Sequence, residues 1–400
     1  MSAVRSERAE DGPASATDGL VLPGSGRGCL GDVLLAVASA VGADHDGAGL
    51  DGAAASRERL GLPASERVCV VLVDGLGHLN LEDRAGHAPF LRRRLGDGPG
   101  PLTSTYPSTT AAALGTFGVG AAPGTTGMLG YTVRDPATGR IGNLVSWTDL
   151  PDAEQWQPEP TVLERMAAAG TRTSSAGPQR FARSGLTRAA LRGATYLPAE
   201  SLAERVDACV AALREPGVAY LYWGDVDKAG HHHGWSSMEW GDALGELDAE
   251  LGRLARSVRT GTTIVVTADH GMVDVDRARR WDVATDPVLG RDVELVAGEP
   301  RALHLHLRDG ADAEAVALRW AGHLGEHAVV RTRPQAVDAG WFGAVTPRVE
   351  PVIGDVVVAM TGRATVVDSR TQTPASLDLV GVHGSLTPHE MLVPCVVVEG

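Results

Sequence analysis

The sequence predicts an α/β fold with a mostly parallel central sheet covered by helices on both faces. Three observations predict it. Near-continuous apolar runs at 67–73 (RVCVVLV), 217–223 (GVAYLYW), 262–268 (TTIVVTA) and 391–398 (MLVPCVVV) read as strands buried on both sides. Amphipathic helical patterns separate them, as strand–helix alternation requires. Gly 50 and Pro 23 supply many turns, and hydrophobic residues at 43 % supply a core, filled by Ala, Val and Leu because only 4 % of residues are aromatic.

Taken in chain order, residues 1–20 are polar, carry acids and lack the apolar centre of a signal peptide, so they are expected to be a disordered tail. The helical segments at 159–170 and 200–217 each close on Gly. In 238–258, Leu244, Leu247, Leu251, Leu254 and Val258 keep the three-four spacing of one stripe. The stretch 290–345 reads differently. RALHLHL alternates strictly, which predicts one wet and one dry face, with His304 and His306 on the wet one. DAEAVALRWAGHL is a helix pattern and AVVRT another strand, so 290–345 is expected to be a small α+β insertion on a core made of 21–289 and 346–400. GDVVVAM and ATVVD are read as the return to that core.

A formal charge of −14 argues against binding a nucleic acid duplex, which needs a basic footprint. No apolar run approaches the length of a membrane span, so no membrane partner is expected. Cys29, Cys69, Cys209 and Cys395 are scattered and form no CxxC pair, the usage of a reducing compartment, and a cytoplasmic location is the expectation.

Ligands of an open α/β sheet gather at the carboxyl ends of its strands. There the sequence places Asp74-Gly75, then Asp225-Val226-Asp227 followed by KAGHHHG, then Asp269-His270-Gly271. VHGS, with His383, precedes the last strand. Singly, Asp74 reads as a turn residue and Asp269 as a helix cap; jointly, carboxylates mixed with imidazoles suit zinc or a similar divalent ion. Asp227 and His231, four apart, share a helical face, whereas Asp225, six from His231, has a supporting role at best. His232 and His233 read as solvated, and His389 as a loop group behind the site.

One further segment offers a nucleophile. Residues 103–110 (TSTYPSTT) carry seven hydroxyls in eight positions, followed by the apolar run AAALGTF. The helix pattern starts at Ala111, which puts Thr110 at the N-cap, where free N–H groups attract an anion; a plain cap is the other reading of the same position.

Taken together, LVDG, DKAGH, ADHGM and VHGS, in this order across roughly 67–398, resemble the type I phosphodiesterase/nucleotide pyrophosphatase family of the alkaline phosphatase superfamily. The resemblance implies an alkaline-phosphatase-like core and two divalent metal ions, zinc being the expected metal. One ion would be held by Asp74, Asp269, His270 and the Thr110 oxygen, the other by Asp227, His231 and His383. It implies a hydrolase of phosphate esters acting through a phospho-threonine on a small substrate, nucleotides included. Phosphomonoesterase, phosphonate hydrolase and phosphomutase chemistry belong to the same superfamily, and a metal-stabilised binding protein is the non-enzymatic alternative. Two registers compete for the nucleophile. Thr105-Tyr106-Pro107 imitates the family's Thr-Phe-Pro, but aromatic-Pro-Ser-x-Thr ending at Thr110 matches the downstream Gly-x-x-Pro-x-x-x-Gly without a gap, and Thr110 is preferred. In that register Tyr131 stands where the family carries a phosphate-binding Asn, which makes Tyr131 a candidate substrate contact.

Overall fold

The computed structural model describes residues 19–400 apart from Arg27, Asp46 and Asp97. The tail expected at 1–20 thus falls almost wholly outside the described residues. Ten strands carry the two main sheets: β1 (Arg67–Val73), β2 (Thr173–Gly177), β3 (Thr195–Pro198), β4 (Gly217–Trp223), β5 (Thr262–Ala268), β6 (Val293–Glu299), β7 (Ala302–Leu307), β8 (Ala328–Thr332), β9 (Val356–Met360) and β10 (Cys395–Glu399). Five helices matter below: α1 (Thr110–Val119), α2 (Leu202–Ala212), α3 (Asp225–His233), α4 (Met238–Ser257) and α5 (Ala313–Leu324).

The main sheet has the order β10-β5-β1-β4-β2-β3 and is parallel except for β10, which runs antiparallel to β5. Val68 to Val73 of β1 have no exposed surface, so both faces of the sheet are covered there, as the unbroken apolar run requires. The helix expected at 238–258 is α4. Ser237 caps it by accepting from the Trp240 amide, and Trp240, Leu244, Leu247, Leu251 and Leu254 bury its apolar stripe. Each buried Leu contributes about 1.5–3 kcal/mol relative to an exposed one. A capping box of Ser201 and Glu204 starts α2.

The run 391–398 is two strands, not one. Pro394, which cannot donate to a ladder, separates Leu392–Val393, paired with Leu102–Thr103, from β10.

The second sheet is antiparallel with the order β6-β7-β9-β8, and α5 packs on it. Its internal strand β9 is the GDVVVAM segment, so the small sheet reaches past residue 345 rather than ending there. The wet face expected for RALHLHL is also corrected. His304 and His306 are 1 % and 4 % exposed. Alternation marked two faces of β7 correctly, but the second face is covered as well: His304 packs on Phe342 and accepts a hydrogen bond from the Gly354 amide. Burial depresses both imidazoles to about 3, so they stay neutral. All four cysteines are free thiols, three of them buried. No helix among the described residues is long and apolar enough to cross a membrane.

Candidate active site at the carboxyl ends of the strands

Strand register creates the site. Val73 pairs with Trp223 on one side and Ala268 on the other, so β1, β4 and β5 end level with one another. The next residues, Asp74 and Asp269, stand on adjacent strands, which lie about 4.8 Å apart. Gly75 has φ +72°, and a Cβ there would lie 2.8 Å from the Asp227 Cβ, so only glycine lets α3 approach β1 this closely. On α3, Asp227 and His231 share a face as their spacing predicts, with His231 Nε2 3.3 Å from Asp227 Oδ2.

His383 arrives from the loop before the last strands and stacks on His270, ring centres 3.6 Å apart. One ligand atom from each of Asp74, Asp269 and His270 lies within 4.8 Å of the others, and the same holds for Asp227, His270 and His383. His270 therefore borders both clusters, where the sequence reading gave it to one; His231 enters through its contact with Asp227.

These donors fit divalent ions. Asp227 Oδ1 and Asp269 Oδ2 are buried and find no hydrogen-bond partner among the described residues. Each imidazole turns Nδ1 to a backbone carbonyl: His231 to Gly381 at 2.7 Å, His270 to Gly271 at 3.0 Å, His383 to Ser108 at 3.0 Å. The lone pair is thereby left on Nε2, which faces the carboxylates, the arrangement that orients metal-binding imidazoles. Burial and the neighbouring Asp269 and Asp227 push Asp74 well above the usual carboxylate range. Burial raises Asp269 to about 7, and burial beside His270 and His231 holds His383 well below its ordinary value. Asp74 and Asp269, both raised, would be held ionised by cations between them and the imidazoles.

Thr110 opens α1 as its first residue; Thr109, extended at φ −143°, is the N-cap, one position earlier than the sequence reading placed it. Thr110 Oγ1 lies 3.2 Å from His270 Nε2 and 3.5 Å from Asp74 Oδ1. Thr105, the competing position, is buried and donates to the Pro107 carbonyl at 2.7 Å. Asp225 is exposed at the start of α3, His232 and His233 are exposed, and His389 packs on Trp235.

A family model for type I phosphodiesterase / nucleotide pyrophosphatase matches residues 68–386. The chain belongs to this family. Its members are hydrolases acting on phosphoester bonds. Human ectonucleotide pyrophosphatase/phosphodiesterase family member 5 is 27 % identical over 147 residues, 35 % of this chain and 30 % of that protein, so the match spans under a third of the relative's length. The structure of murine ectonucleotide pyrophosphatase/phosphodiesterase 5 shares the fold at a TM-score of 0.64 and 16 % identity, covering 82 % of this chain and 87 % of that one. An inactive threonine-to-alanine variant of the murine protein, in complex with AMP, aligns at 0.63 with 17 % identity over the same shares. Phosphonoacetate hydrolase from Sinorhizobium meliloti, in complex with phosphonoformate, aligns at 0.65 with 23 % identity, covering 84 % of this chain and 90 % of that one. The family's mostly parallel α/β core is therefore present here.

Four groups escaped sequence reading. The Tyr222 hydroxyl donates to Asp74 Oδ2 at 2.5 Å. Tyr222 sits inside the strand pattern YLYW, where nothing distinguishes a polar role from a core one. Arg301 and Glu390 form a buried pair behind the His383 loop. Glu299, at the end of β6, accepts the Tyr131 amide at 2.8 Å, and its side chain fills the space beside Gly384, whose φ of +133° and missing Cβ make room for it. Burial lifts Glu299 from 4.5 to about 8, against hydrogen bonds from Tyr131 and Thr109 that pull it down. The folded state therefore keeps a proton that the unfolded chain releases near 4.5, so stability falls as pH rises through that interval up to about 8. Glu299→Gln is expected to flatten this slope, sparing the protein about 2–3 kcal/mol of loss between pH 6 and 8, read by urea unfolding at both pH values.

Proposed function

We propose that the protein is a two-metal phosphodiesterase/nucleotide pyrophosphatase that works through a phospho-threonine on Thr110. The observation that carries this reading is the Thr110 hydroxyl on the first turn of α1, facing Asp74 Oδ1 and His270 Nε2. Asp74, Asp269, His270 and Thr110 would hold one ion, and Asp227, His231 and His383 the other. Bound there, the ions, zinc by the Asp/His donor set, would lower the pKa of the Thr110 hydroxyl and offset the charge of the phosphoryl oxygens.

The chain's own groups do the rest. The free N–H groups of the first turn of α1 point at an anion in front of Thr110. Tyr222 orients Asp74 through its hydrogen bond. A cavity of about 310 Å³ opens from Asp74 and Thr110 toward Phe181, Leu186 and Tyr222. Its aromatic walls suit a flat ring, and a nucleotide, as in the AMP complex of the murine relative, is the proposed substrate class. Tyr131, 47 % exposed, borders this cavity and would offer its hydroxyl to a phosphoryl oxygen in place of the family's Asn. The Thr110 hydroxyl gives up its proton to solvent as Oγ attacks phosphorus, the ester oxygen leaves and takes up a proton, and water then cleaves the Thr110–phosphorus bond, its oxygen going to phosphorus and a proton returning to Oγ. Four free thiols accord with the cytoplasmic location proposed from the sequence.

Chelation tests the reading. Treatment with a strong chelator should abolish hydrolysis of bis(p-nitrophenyl) phosphate, leave the far-ultraviolet circular dichroism unchanged, and be reversed by zinc. Hydrolysis that survives complete metal removal, verified by elemental analysis, would overturn it; metal-dependent folding without any turnover would favour a structural metal site.

A further inference from the structure

A second cavity, of about 510 Å³, meets the first at the reaction centre. Both border Thr109, Tyr131, His231 and His383, but the second touches neither Thr110 nor Asp74. It runs between β6 and the 366–382 segment. In an in-line displacement the attacking and leaving oxygens lie on opposite sides of phosphorus. Thr110 lies beside Asp74. A leaving group opposite Thr110 would point away from Asp74, and the second cavity is the one that opens clear of both residues.

We propose that this second cavity is the leaving-group subsite, and that it selects an uncharged or cationic organic leaving group over a polyphosphate. The inference rests on the hydrolase reading above and narrows it to esters. Its basis is charge. Among the described residues no lysine or arginine lines the cavity. A pyrophosphate leaving group carries several negative charges, which proteins hold with arginine, lysine or clustered amides. Here the walls hold no such cation, and their two buried acids add none: Glu299 keeps its proton up to about 8, and Asp368 is an acceptor. The Asp368 carboxylate is matched by Arg370, which makes two hydrogen bonds to it from outside the lining. Among the described residues no arginine or lysine pairs with Glu299, and its Oε1 finds no hydrogen-bond partner. Leu303, Val366 and Leu379 give it apolar surface, Asn143 and Gln372 add two amides whose oxygens accept backbone N–H groups, and Thr373 and Ser376 border the side formed by the short helix Pro374–Leu377. A volume of this order takes an organic group of ring size or larger.

The chemistry balances without a further reactant. The Thr110 hydroxyl releases its proton to solvent as Oγ forms a bond to phosphorus, the phosphorus–oxygen bond to the leaving group breaks, and the departing alkoxide or phenoxide leaves through the second cavity and takes up one proton from solvent, so that the protons balance.

Two substrates that transfer the same adenylyl group separate the outcomes: the p-nitrophenyl ester of AMP and ATP. The metal-loaded enzyme should hydrolyse the ester with a kcat/KM about 100-fold or more above that for ATP. Ser376→Trp, which fills the cavity, should lower kcat/KM for the ester about 10-fold, mostly through KM, while calorimetric binding of AMP, which has no leaving group, stays within about twofold. Ser376→Lys, which places a cation there, should raise the ATP-to-ester ratio about 10-fold. A wild-type preference for ATP, or ester turnover indifferent to Ser376→Trp, overturns the subsite. Failure of the wild-type enzyme to turn over either substrate overturns the hydrolase reading itself, a different result from equal turnover of both.

Discussion

Thr110→Ala is expected to lower kcat for a phosphodiester by about 1000-fold or more while leaving the metal content of the purified protein nearly unchanged. The hydroxyl is the only part of the residue that faces the carboxylates and imidazoles. Removing it takes away the proposed attacking oxygen but none of the three carboxylates or three imidazoles that would hold the ions. The helix should survive, because Thr109 rather than Thr110 is its N-cap and Ala is a good residue for a first turn. Thr110→Ser, which keeps an oxygen on Cβ, should recover much of the rate. Thr105→Ala supplies the control. Its hydroxyl is spent on the Pro107 carbonyl, so losing it should cost about 1 kcal/mol of stability and little activity. Steady-state kinetics with elemental analysis on the three variants reads the result. Full activity in Thr110→Ala beside loss in Thr105→Ala would move the nucleophile to the other register.

The parts of the site legible in the sequence are those whose position follows from strand ends. A run such as RVCVVLV announces a buried strand, and the residue that follows it falls at the carboxyl end of the sheet by geometry alone; Asp74 and Asp269 were therefore readable, with their neighbour His270. Asp227 and His231 were readable through helical spacing. Long-range pairing is what the sequence withheld. Register between β1, β4 and β5 decides that the strand ends are level, and no local pattern encodes it. Strands β2 and β3 went unread because TSSAG and TYLP are short and carry little apolar bulk. The β7 alternation misled for a related reason: period two separates two faces but says nothing about what covers each, and residues 342 and 354, far along the chain, cover His304. Glu299 escaped because a carboxylate in a strand reads as solvent-facing until the fold buries it.

The buried pair behind the His383 loop carries the largest stability prediction. Arg301 and Glu390 are both fully buried. The guanidinium lies in the turn between β6 and β7; its Nε and one terminal nitrogen bond the two Glu390 oxygens, and the other terminal nitrogen donates to the carbonyls of Ala364 and Thr361. Glu390 also accepts the Ser385 amide and the Thr387 hydroxyl. Ser385 lies two residues after His383, and the same loop is stitched to the segment before Thr110: the Ser108 amide donates to the Gly384 carbonyl, and the Ser108 hydroxyl to that of Ser385. Glu390 therefore ties the second sheet to the loop that presents His383, with Ser108 carrying the tie on toward Thr110. Glu390→Ala strands the Arg301 charge in a dry interior and leaves the Ser385 amide unpaired, at a cost of about 3–5 kcal/mol. Glu390→Gln keeps the shape and one acceptor oxygen, so it should lose less. Urea unfolding measures the first effect. The second is local: if the tie positions His383, Glu390→Gln should bind less metal per chain than the wild type under limiting zinc while its fold persists, whereas a pair that serves packing alone would lower the unfolding midpoint and leave metal stoichiometry intact.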